Sequence, residues 1–258
     1  AEKSGQLRSC GGIRGKAAAE MSAAFLMTAE EKQMKEIKFE TYRIEIFGEE
    51  TKMRCPVIWL NGAEGEGREV WEMTDRSCVL ICVSGLDWNR DLSPWKAEKI
   101  FARGEDFAGG AERYLKILTE IMMPRAEREL SFAPRPAQRG IAGYSMAGLF
   151  ACYAMYHTDQ FGGIASISGS LWFDGWAEYA LKSAVMPLKP KIYVSLGDKE
   201  HKTKNSRMRS VRRCTEDLCR CWERQGTVVY EENRGGHFEN CSGRTARGII
   251  KLTQLLQE

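Results

Sequence analysis

The amino-acid sequence predicts an α/β fold in which a mostly parallel central sheet carries helices on both faces. Several short apolar runs are continuous rather than alternating, which is typical of strands buried on both sides in a parallel sheet. Segments with apolar residues at helical spacing lie between these runs. Such alternation predicts right-handed βαβ units, and with no internal repeat or low-complexity linker we expect a single domain of this type.

The first half of the chain supplies three predicted strands and one long predicted helix. Residues 42–46 alternate apolar and polar side chains, which predicts a half-buried strand. The continuous apolar runs 57–60 and 78–83 predict two fully buried strands. Residues 107–130 carry apolar side chains at helical spacing and predict a helix.

The second half repeats the alternation more regularly. A short strand from Gly140 leads into a nearly all-apolar helix over 146–157. Apolar runs at 164–167, 192–196 and 228–230 predict the remaining strands. A strongly charged helix over 205–224 and a closing helix over 245–256 complete the predicted elements.

Composition excludes several classes of protein. The 258 residues carry 38 basic and 35 acidic side chains, a net charge of +3, which does not suggest a nucleic-acid binder. With 43% hydrophobic residues the chain is not disordered, and no apolar stretch is long enough to span a membrane. Nine cysteines, an odd number without a secretory context, are most simply free thiols in the cytoplasm.

The domain boundary is expected near Met34. Residues 1–33 hold no signal-peptide core, and we interpret them as an N-terminal extension that need not be ordered. Residues 34–258 then form the α/β domain. The spacing of Cys214, Cys219 and Cys221 does not match a zinc site, so no metal is predicted.

The segment from Gly140 to Phe150 carries the clearest chemical signal. Its strand, tight turn and immediate helix resemble the nucleophile elbow G-x-S-x-G of α/β-hydrolases, with Ser145 as the nucleophile. The backbone N–H of Met146 opens the helix and would point at an oxyanion. One position departs from the motif, because Ala147 stands where glycine is usual and Gly148 follows it.

A serine nucleophile needs a base and an acid, and α/β-hydrolases present them in the chain order serine, acid, histidine. Among three histidines, His237 follows two glycines after the last strand, where the base should lie. The acid should follow strand 192–196, in Gly197-Asp198-Lys199-Glu200. A spacing of three residues from the glycine favours Glu200, and Asp198 is the second choice.

The sequence gives a weaker signal for the second oxyanion donor and for the substrate pocket. The turn after strand 57–60 offers the backbone N–H of Ala63, although an ordinary Asn-Gly turn explains the same residues. Trp172 follows strand 164–167 and is expected to wall the acyl side of the pocket. Trp88 lies in a polar–aromatic loop at the same end of the sheet, where it could stack on an aromatic group or simply anchor its loop.

Four motifs in the expected order resemble the esterase family of α/β-hydrolases that includes siderophore esterases, S-formylglutathione hydrolase, feruloyl esterases and mycolyltransferases. These are the elbow at Ser145, the segment 166–172, the acid loop 197–200 and Gly236-His237-Phe238. The resemblance covers roughly residues 38–257 and is nearest the siderophore-esterase branch. It implies Ser145 as nucleophile, His237 as base and Glu200 as acid, with no cofactor.

The expected activity is therefore hydrolysis of small-molecule carboxylic esters, of siderophore or aromatic-acyl type, through an acyl-enzyme. A thioesterase, an acyltransferase or a peptidase could use the same three residues. A non-catalytic α/β-hydrolase fold that binds a ligand or partner is the alternative outside enzymes. Neither nucleic acid nor membrane is expected as a partner, and the sequence leaves the oligomeric state open.

Overall fold

The computed structural model of the protein describes residues 34–48 and 55–258. Its main feature is an eight-stranded sheet with the order β1-β2-β4-β3-β7-β8-β9-β10. These strands are β1 (Met34–Phe39), β2 (Tyr42–Phe47), β3 (Val57–Asn61), β4 (Val79–Ser84), β7 (Arg139–Tyr144), β8 (Gly163–Ile167), β9 (Lys191–Gly197) and β10 (Thr227–Asn233). Two further short strands, β5 (Lys96–Ala97) and β6 (Phe107–Ala108), form an antiparallel pair.

The sheet is parallel from β4 to β10, and β2 joins it antiparallel to β4. The continuous apolar runs read from the sequence, in β3, β4 and β8, are buried at every position, as expected for central parallel strands. This architecture is that of an α/β-hydrolase, which confirms the predicted fold class. The predicted half-buried strand 42–46 is wrong in one respect, since β2 is almost entirely buried, including Glu45.

The principal helices are α1 (Glu66–Met73), α2 (Trp88–Asp91), α3 (Ala111–Ile117), α4 (Met123–Glu127), α5 (Met146–His157), α6 (Trp176–Lys182), α7 (Ser206–Arg209), α8 (Val211–Trp222) and α9 (Cys241–Gln257). Gly148 of α5 lies against Ser166, whereas Gly248 of α9 lies against Ile167. Successive residues of a strand face opposite sides of a sheet. Helices α5 and α9 therefore cover opposite faces of β8.

The helix predicted over 107–130 is wrong at its start and in its regularity. Phe107 belongs to β6, and helical structure begins only at Ala111, after two glycines. Between α3 and α4 the chain takes one π-helical turn, Leu118–Met122, which ends two residues before Pro124. Proline has no N–H to donate and its ring clashes with the preceding turn, so a wider turn at this point relieves the conflict.

Other differences are small. The helix predicted over 205–224 is two helices, α7 and α8, which meet at Ser210. Strand β1 and helix α1 were not predicted, because neither carries a long apolar run. Residues 1–33, interpreted as an extension, lie outside the described residues.

Three further findings concern the described residues alone. Within 34–48 and 55–258, no helix combines the length and apolar character needed to cross a membrane. The eight cysteines of the same ranges are free thiols. The described part of the chain also holds no group of three or more histidine, cysteine or acidic side chains placed to bind a metal ion.

Candidate active site

Ser145 occupies the single residue between the end of β7 and the start of α5. Its backbone has φ 56° and ψ −117°, a conformation that costs a non-glycine residue about 1–3 kcal/mol and persists only where the surroundings impose it. Backbone hydrogen bonds from β8 and its following loop impose it here. The Ser145 N–H donates to the Ile167 carbonyl at 3.0 Å, and the Ser170 N–H donates to the Ser145 carbonyl at 2.9 Å.

The structure explains why alanine is accommodated at position 147. A Cβ placed on Gly143 would lie 2.4 Å from the Ala147 Cβ, so the missing side chain of Gly143 leaves room for the methyl group. Gly148 is also in close backbone contact, because its added Cβ would meet the Gly143 carbonyl oxygen at 2.9 Å and the Gly169 Cα at 3.0 Å. The turn therefore keeps glycine at the two positions where strand and helix touch.

Ser145, His237 and Glu200 are brought together, although they come from three separate loops. The Ser145 Oγ lies 3.0 Å from His237 Nε2, and Glu200 Oε2 lies 2.7 Å from His237 Nδ1. A carboxylate can only accept, so the Nδ1 atom carries the proton and Nε2 is free to accept from the serine hydroxyl. This is the arrangement that a serine nucleophile with a general base requires.

Glu200 is buried, and its carboxylate is fully hydrogen-bonded. The Oε1 atom accepts from the Ser168 hydroxyl and from the Gly197 N–H, both at 2.7 Å, which leaves Oε2 for His237. Burial acts to raise the pKa of Glu200, but the hydrogen bonds from His237 and Ser168 and the nearby imidazole outweigh it, so the pKa is lowered. The acid candidate is therefore held in its ionised form.

Asp198 faces a different partner. Its Oδ1 atom accepts from the Gly235 N–H at 2.7 Å, and this bond lowers the pKa of Asp198. Gly235 has φ 109° and begins the loop that carries His237. Asp198 thus links the loop that carries His237 to the loop that carries Glu200, whereas the imidazole of His237 contacts Glu200.

The two candidate oxyanion donors differ in availability. The N–H of Met146 belongs to the first residue of α5, where backbone donors have no acceptor within the helix. The N–H of Ala63 instead donates to the Glu66 carboxylate at 2.8 Å, and burial raises the pKa of this carboxyl group. Ala63 can serve an oxyanion only if the Glu66 side chain turns away.

A cavity of about 220 Å³ opens at Ser145 and His237. It is lined by Asn89, Ile100, Phe101, Gly104, Glu105, Phe107, Ser145, Met146, Ser170, Trp172, Met208, His237 and Phe238. Two aromatic side chains at its rim are open to solvent, Phe101 at 62% and Phe238 at 80%. Among these lining residues Glu105 is the only carboxylate, and none is a lysine or arginine.

The structure places the two tryptophans differently. Trp172 lines the cavity, with the guanidinium carbon of Arg207 5.9 Å from its ring centroid. Arg207 is paired with Asp174 at 2.6 Å and so brings little free charge to the cavity. Trp88 packs against the hydrophobic core and does not line the cavity, because α2 turns its neighbour Asn89 inward instead.

Several residues around the site were not assigned a role from the sequence. The Ser170 hydroxyl lies 3.3 Å from the Ser145 hydroxyl, and Ser168 holds Glu200. The buried side chain of Arg244 reaches Glu200 from helix α9. The alternate serines after β8 were a usable signal, because side chains following parallel strands gather at one edge of the sheet. An arginine inside a helix gives no such signal.

A known protein family matches most of this chain. Residues 54–237 match the family described as "Putative esterase". The chain belongs to this family. The match extends from just before β3 to the candidate base, and therefore includes the elbow, the acid loop and His237. The family resemblance read from the sequence is confirmed.

Individual relatives are more distant. An uncharacterised Bacillus subtilis protein, YbbA, is 30% identical over 149 residues, which span 57% of this chain and 60% of that protein. The siderophore hydrolase EstA of Aspergillus nidulans is 17% identical, with a TM-score of 0.64 over 86% of this chain and 94% of that one. An IroE-like serine hydrolase of Shewanella oneidensis is 14% identical, with a TM-score of 0.70 over 85% and 78%. At these identities the solved structures establish the shared fold.

Proposed function

We propose that the protein is a serine hydrolase that cleaves small-molecule carboxylic esters, with Ser145 as nucleophile, His237 as general base and Glu200 as acid. The observation that carries the proposal is the unbroken path from the Ser145 hydroxyl through the imidazole to a buried, ionised carboxylate. Membership of the esterase family supports it. The free thiols fit a cytoplasmic location, which we propose as well.

In the first half of the reaction the Ser145 Oγ attacks the ester carbonyl carbon while its proton passes to His237 Nε2. Glu200 stabilises the imidazolium that forms, and the Met146 N–H donates to the developing oxyanion. The tetrahedral intermediate collapses with cleavage of the carbon–oxygen bond to the alcohol. The leaving alkoxide takes the proton back from His237 and departs as an alcohol.

The second half repeats these steps with water. His237 removes a proton from a water molecule as the water oxygen attacks the acyl-enzyme carbonyl. Collapse of the second intermediate breaks the bond to Ser145, which recovers its proton from His237. One ester and one water molecule thus give one carboxylic acid and one alcohol.

The cavity lining favours uncharged acyl groups. Ile100, Phe107, Trp172 and Met208 surround the position that the acyl chain would occupy, and Glu105 would repel an anionic one. We therefore propose aromatic or branched apolar acyl esters as substrates. EstA is described as a siderophore hydrolase, and that description applies to EstA alone. A siderophore ester would fit the cavity of this chain if its acyl unit is neutral and aromatic.

Active-site labelling tests the proposal. A fluorophosphonate probe requires a base-activated serine, so it should form one adduct, on Ser145, in native protein and none after heat denaturation. Ser145→Ala should abolish labelling and lower ester hydrolysis by at least about a thousandfold. Ser195→Ala, which removes a buried hydroxyl from β9, is the matched control and should label like the unaltered protein.

A panel of esters extends the same experiment. Neutral benzoyl-type esters should be cleaved with higher kcat/KM than the same esters carrying a carboxylate on the acyl group. Native protein that neither labels nor cleaves any ester would contradict the proposal and favour a ligand-binding protein. Labelling followed by transfer to an added alcohol or thiol in preference to water would identify an acyltransferase.

A further inference from the structure

Arg244 is a fully buried arginine that contacts the catalytic acid from behind. Its side chain is 3% exposed, and its Nη1 atom lies 3.2 Å from Glu200 Oε1. The Nη2 atom donates to the Arg234 carbonyl at 2.9 Å, which fixes the plane of the guanidinium. A buried charge of this kind is costly unless it is paired, so its place beside Glu200 calls for an explanation.

The Nη1 atom of Arg244 also lies near two hydroxyl groups that hydrogen-bond to the acid and to the histidine loop. Tyr144 and Ser168 each lie 3.3 Å from Arg244 Nη1. The Tyr144 hydroxyl donates to the His237 carbonyl at 2.5 Å, and the Ser168 hydroxyl donates to Glu200 Oε1. Arg244 therefore contacts the acid directly and reaches both the acid and the base through one further residue each.

Other titratable or charged residues occur around the pair, but they do not pair with the Glu200 carboxylate. These are Tyr144, Asp198, Lys199, Arg212, Arg234, Glu239 and Cys241. Asp198 and Glu239 accept from backbone N–H groups of the histidine loop, and Arg212 pairs with Glu232. Among the described residues, the only side chains that form an ion pair with Glu200 are His237 and Arg244, while Ser168 contributes a neutral hydroxyl donor.

We propose that Arg244 is a positioning residue that sets the pH range in which Ser145 is activated. It contacts Glu200 through Oε1, so that Oε2 is presented to His237, and its charge partly compensates the carboxylate. The Glu200–His237 pair then takes up a proton less readily, and the imidazole stays available as a base at lower pH. This inference rests on the proposed function, because it concerns the same three residues.

The test separates the effect of the Arg244 charge from the effect of its packing. Arg244→Gln and Arg244→Met remove the charge, Arg244→Lys retains it, and Arg247→Gln is the matched control. Arg247 lies three residues further along α9, is exposed and pairs with Glu231 at 2.6 Å. Each variant is first checked by thermal unfolding.

The readout is the pH dependence of fluorophosphonate labelling of Ser145. Labelling should fall at low pH as His237 takes up a proton, and we call this part of the profile the acid limb. Removing the buried positive charge beside Glu200 and His237 should move the acid limb about one pH unit towards higher pH in Arg244→Gln and Arg244→Met. Arg244→Lys and Arg247→Gln should keep the limb of the unaltered protein. Identical limbs in all folded variants, with rates lowered equally at every pH, would show a purely structural role and overturn the inference.

Arg244→Lys and an NMR titration cover the cases in which the neutral variants do not fold or the protein does not label. If neither neutral variant folds, the labelling profile of Arg244→Lys is the test. An acid limb displaced by about one pH unit in this variant, although the charge is retained, would overturn the inference. If the unaltered protein does not label at all, the proposed function fails on its own. The NMR titration of His237, one of only three histidines, then still measures proton uptake by the pair in each folded variant. An unchanged midpoint in the neutral variants would overturn the inference independently of activity.

Discussion

Two carboxylates two residues apart do different work in the acid loop. Asp198 accepts from a backbone N–H and so shapes the loop of His237, while Glu200 accepts from the imidazole itself. The difference follows from the turn after β9, where the Glu200 N–H donates to the Gly197 carbonyl at 3.1 Å and the side chain folds back into the protein. Three residues from the glycine is therefore the spacing that points a carboxylate at the base.

This division predicts opposite outcomes for two conservative variants. Glu200→Gln keeps the size of the side chain but removes the charge that stabilises the imidazolium, so kcat should fall about a thousandfold or more. Asp198→Asn retains an oxygen that can accept from Gly235, and its kcat should fall less than about tenfold. Steady-state kinetics on one activated aryl ester measures both. Nearly full activity in Glu200→Gln with an inactive Asp198→Asn would assign the acid to Asp198.

The residues of the site differ in how far the sequence alone could predict them. Ser145, Glu200 and His237 stand in short loops at fixed distances from glycines, and glycine spacing is visible in a sequence. Arg244 lies inside a helix of otherwise ordinary composition, and only the packing of α9 against the sheet buries it beside Glu200. Trp88 was predicted near the pocket, but its neighbour Asn89 lines the cavity instead. Adjacent residues of a helix point in different directions, and the sequence does not show which of the two faces the cavity.

At the scale of elements, the strand–turn–helix unit around Ser145 depends on the absence of one side chain. A Cβ on Gly143 would lie 2.4 Å from the Ala147 Cβ, 2.5 Å from its carbonyl carbon and 2.7 Å from its carbonyl oxygen. Two of these three atoms belong to the backbone of α5 and cannot rotate away. The start of the helix would have to move relative to β7, and the Ser145 turn lies between them.

Gly143→Ala should therefore lower the free energy of unfolding by about 2–3 kcal/mol and reduce labelling of Ser145. The double variant Gly143→Ala with Ala147→Gly should recover only part of this loss, because the backbone contacts remain. Gly104→Ala is the control, with a nearest contact of 3.3 Å, and should change stability by less than about 0.5 kcal/mol. Urea unfolding measures all three, and full recovery in the double variant would show that only the methyl–methyl contact matters.

Element prediction succeeded where one force dominates and failed where two compete. Strands β3, β4 and β8 are continuous apolar runs, and burial alone accounts for them. Over 107–130 the apolar periodicity continues through Pro124, but the ring of that proline opposes a regular helix. The chain resolves the conflict with a π-helical turn, which a pattern of hydrophobic spacing does not encode.

For the whole molecule, the order of the strands determines which loops meet. Strands β7, β8, β9 and β10 are neighbours and parallel, so their following loops lie at one edge of the sheet. Those loops carry Ser145, Ser168, Glu200 and His237 in that order along the chain. The alternation of strands and helices allows this convergence to be predicted. The cavity wall from residues 100–107 has no periodicity, and its position depends on tertiary packing alone.

The stability of the whole protein should report the state of Glu200 as pH changes. Its pKa is lowered in the folded protein relative to the ordinary value of 4.5, so the folded state releases this proton more readily than the unfolded chain does. The stabilisation is complete above about pH 4.5 and is lost as pH falls through the lower folded value. Glu200→Gln removes the ionisation and leaves Arg244 without its carboxylate, at a cost of about 3–5 kcal/mol near neutral pH.

The difference in unfolding free energy between the unaltered protein and Glu200→Gln should therefore shrink as the solution is acidified below pH 4.5. Glu178→Gln is the control, because Glu178 is exposed and its pairing with Lys182 at 2.7 Å is screened by water. Its difference from the unaltered protein should stay small at every pH. Denaturant unfolding at a series of pH values measures both. A constant difference for Glu200→Gln would mean that Glu200 does not titrate with folding, and that its carboxylate contributes through shape rather than charge.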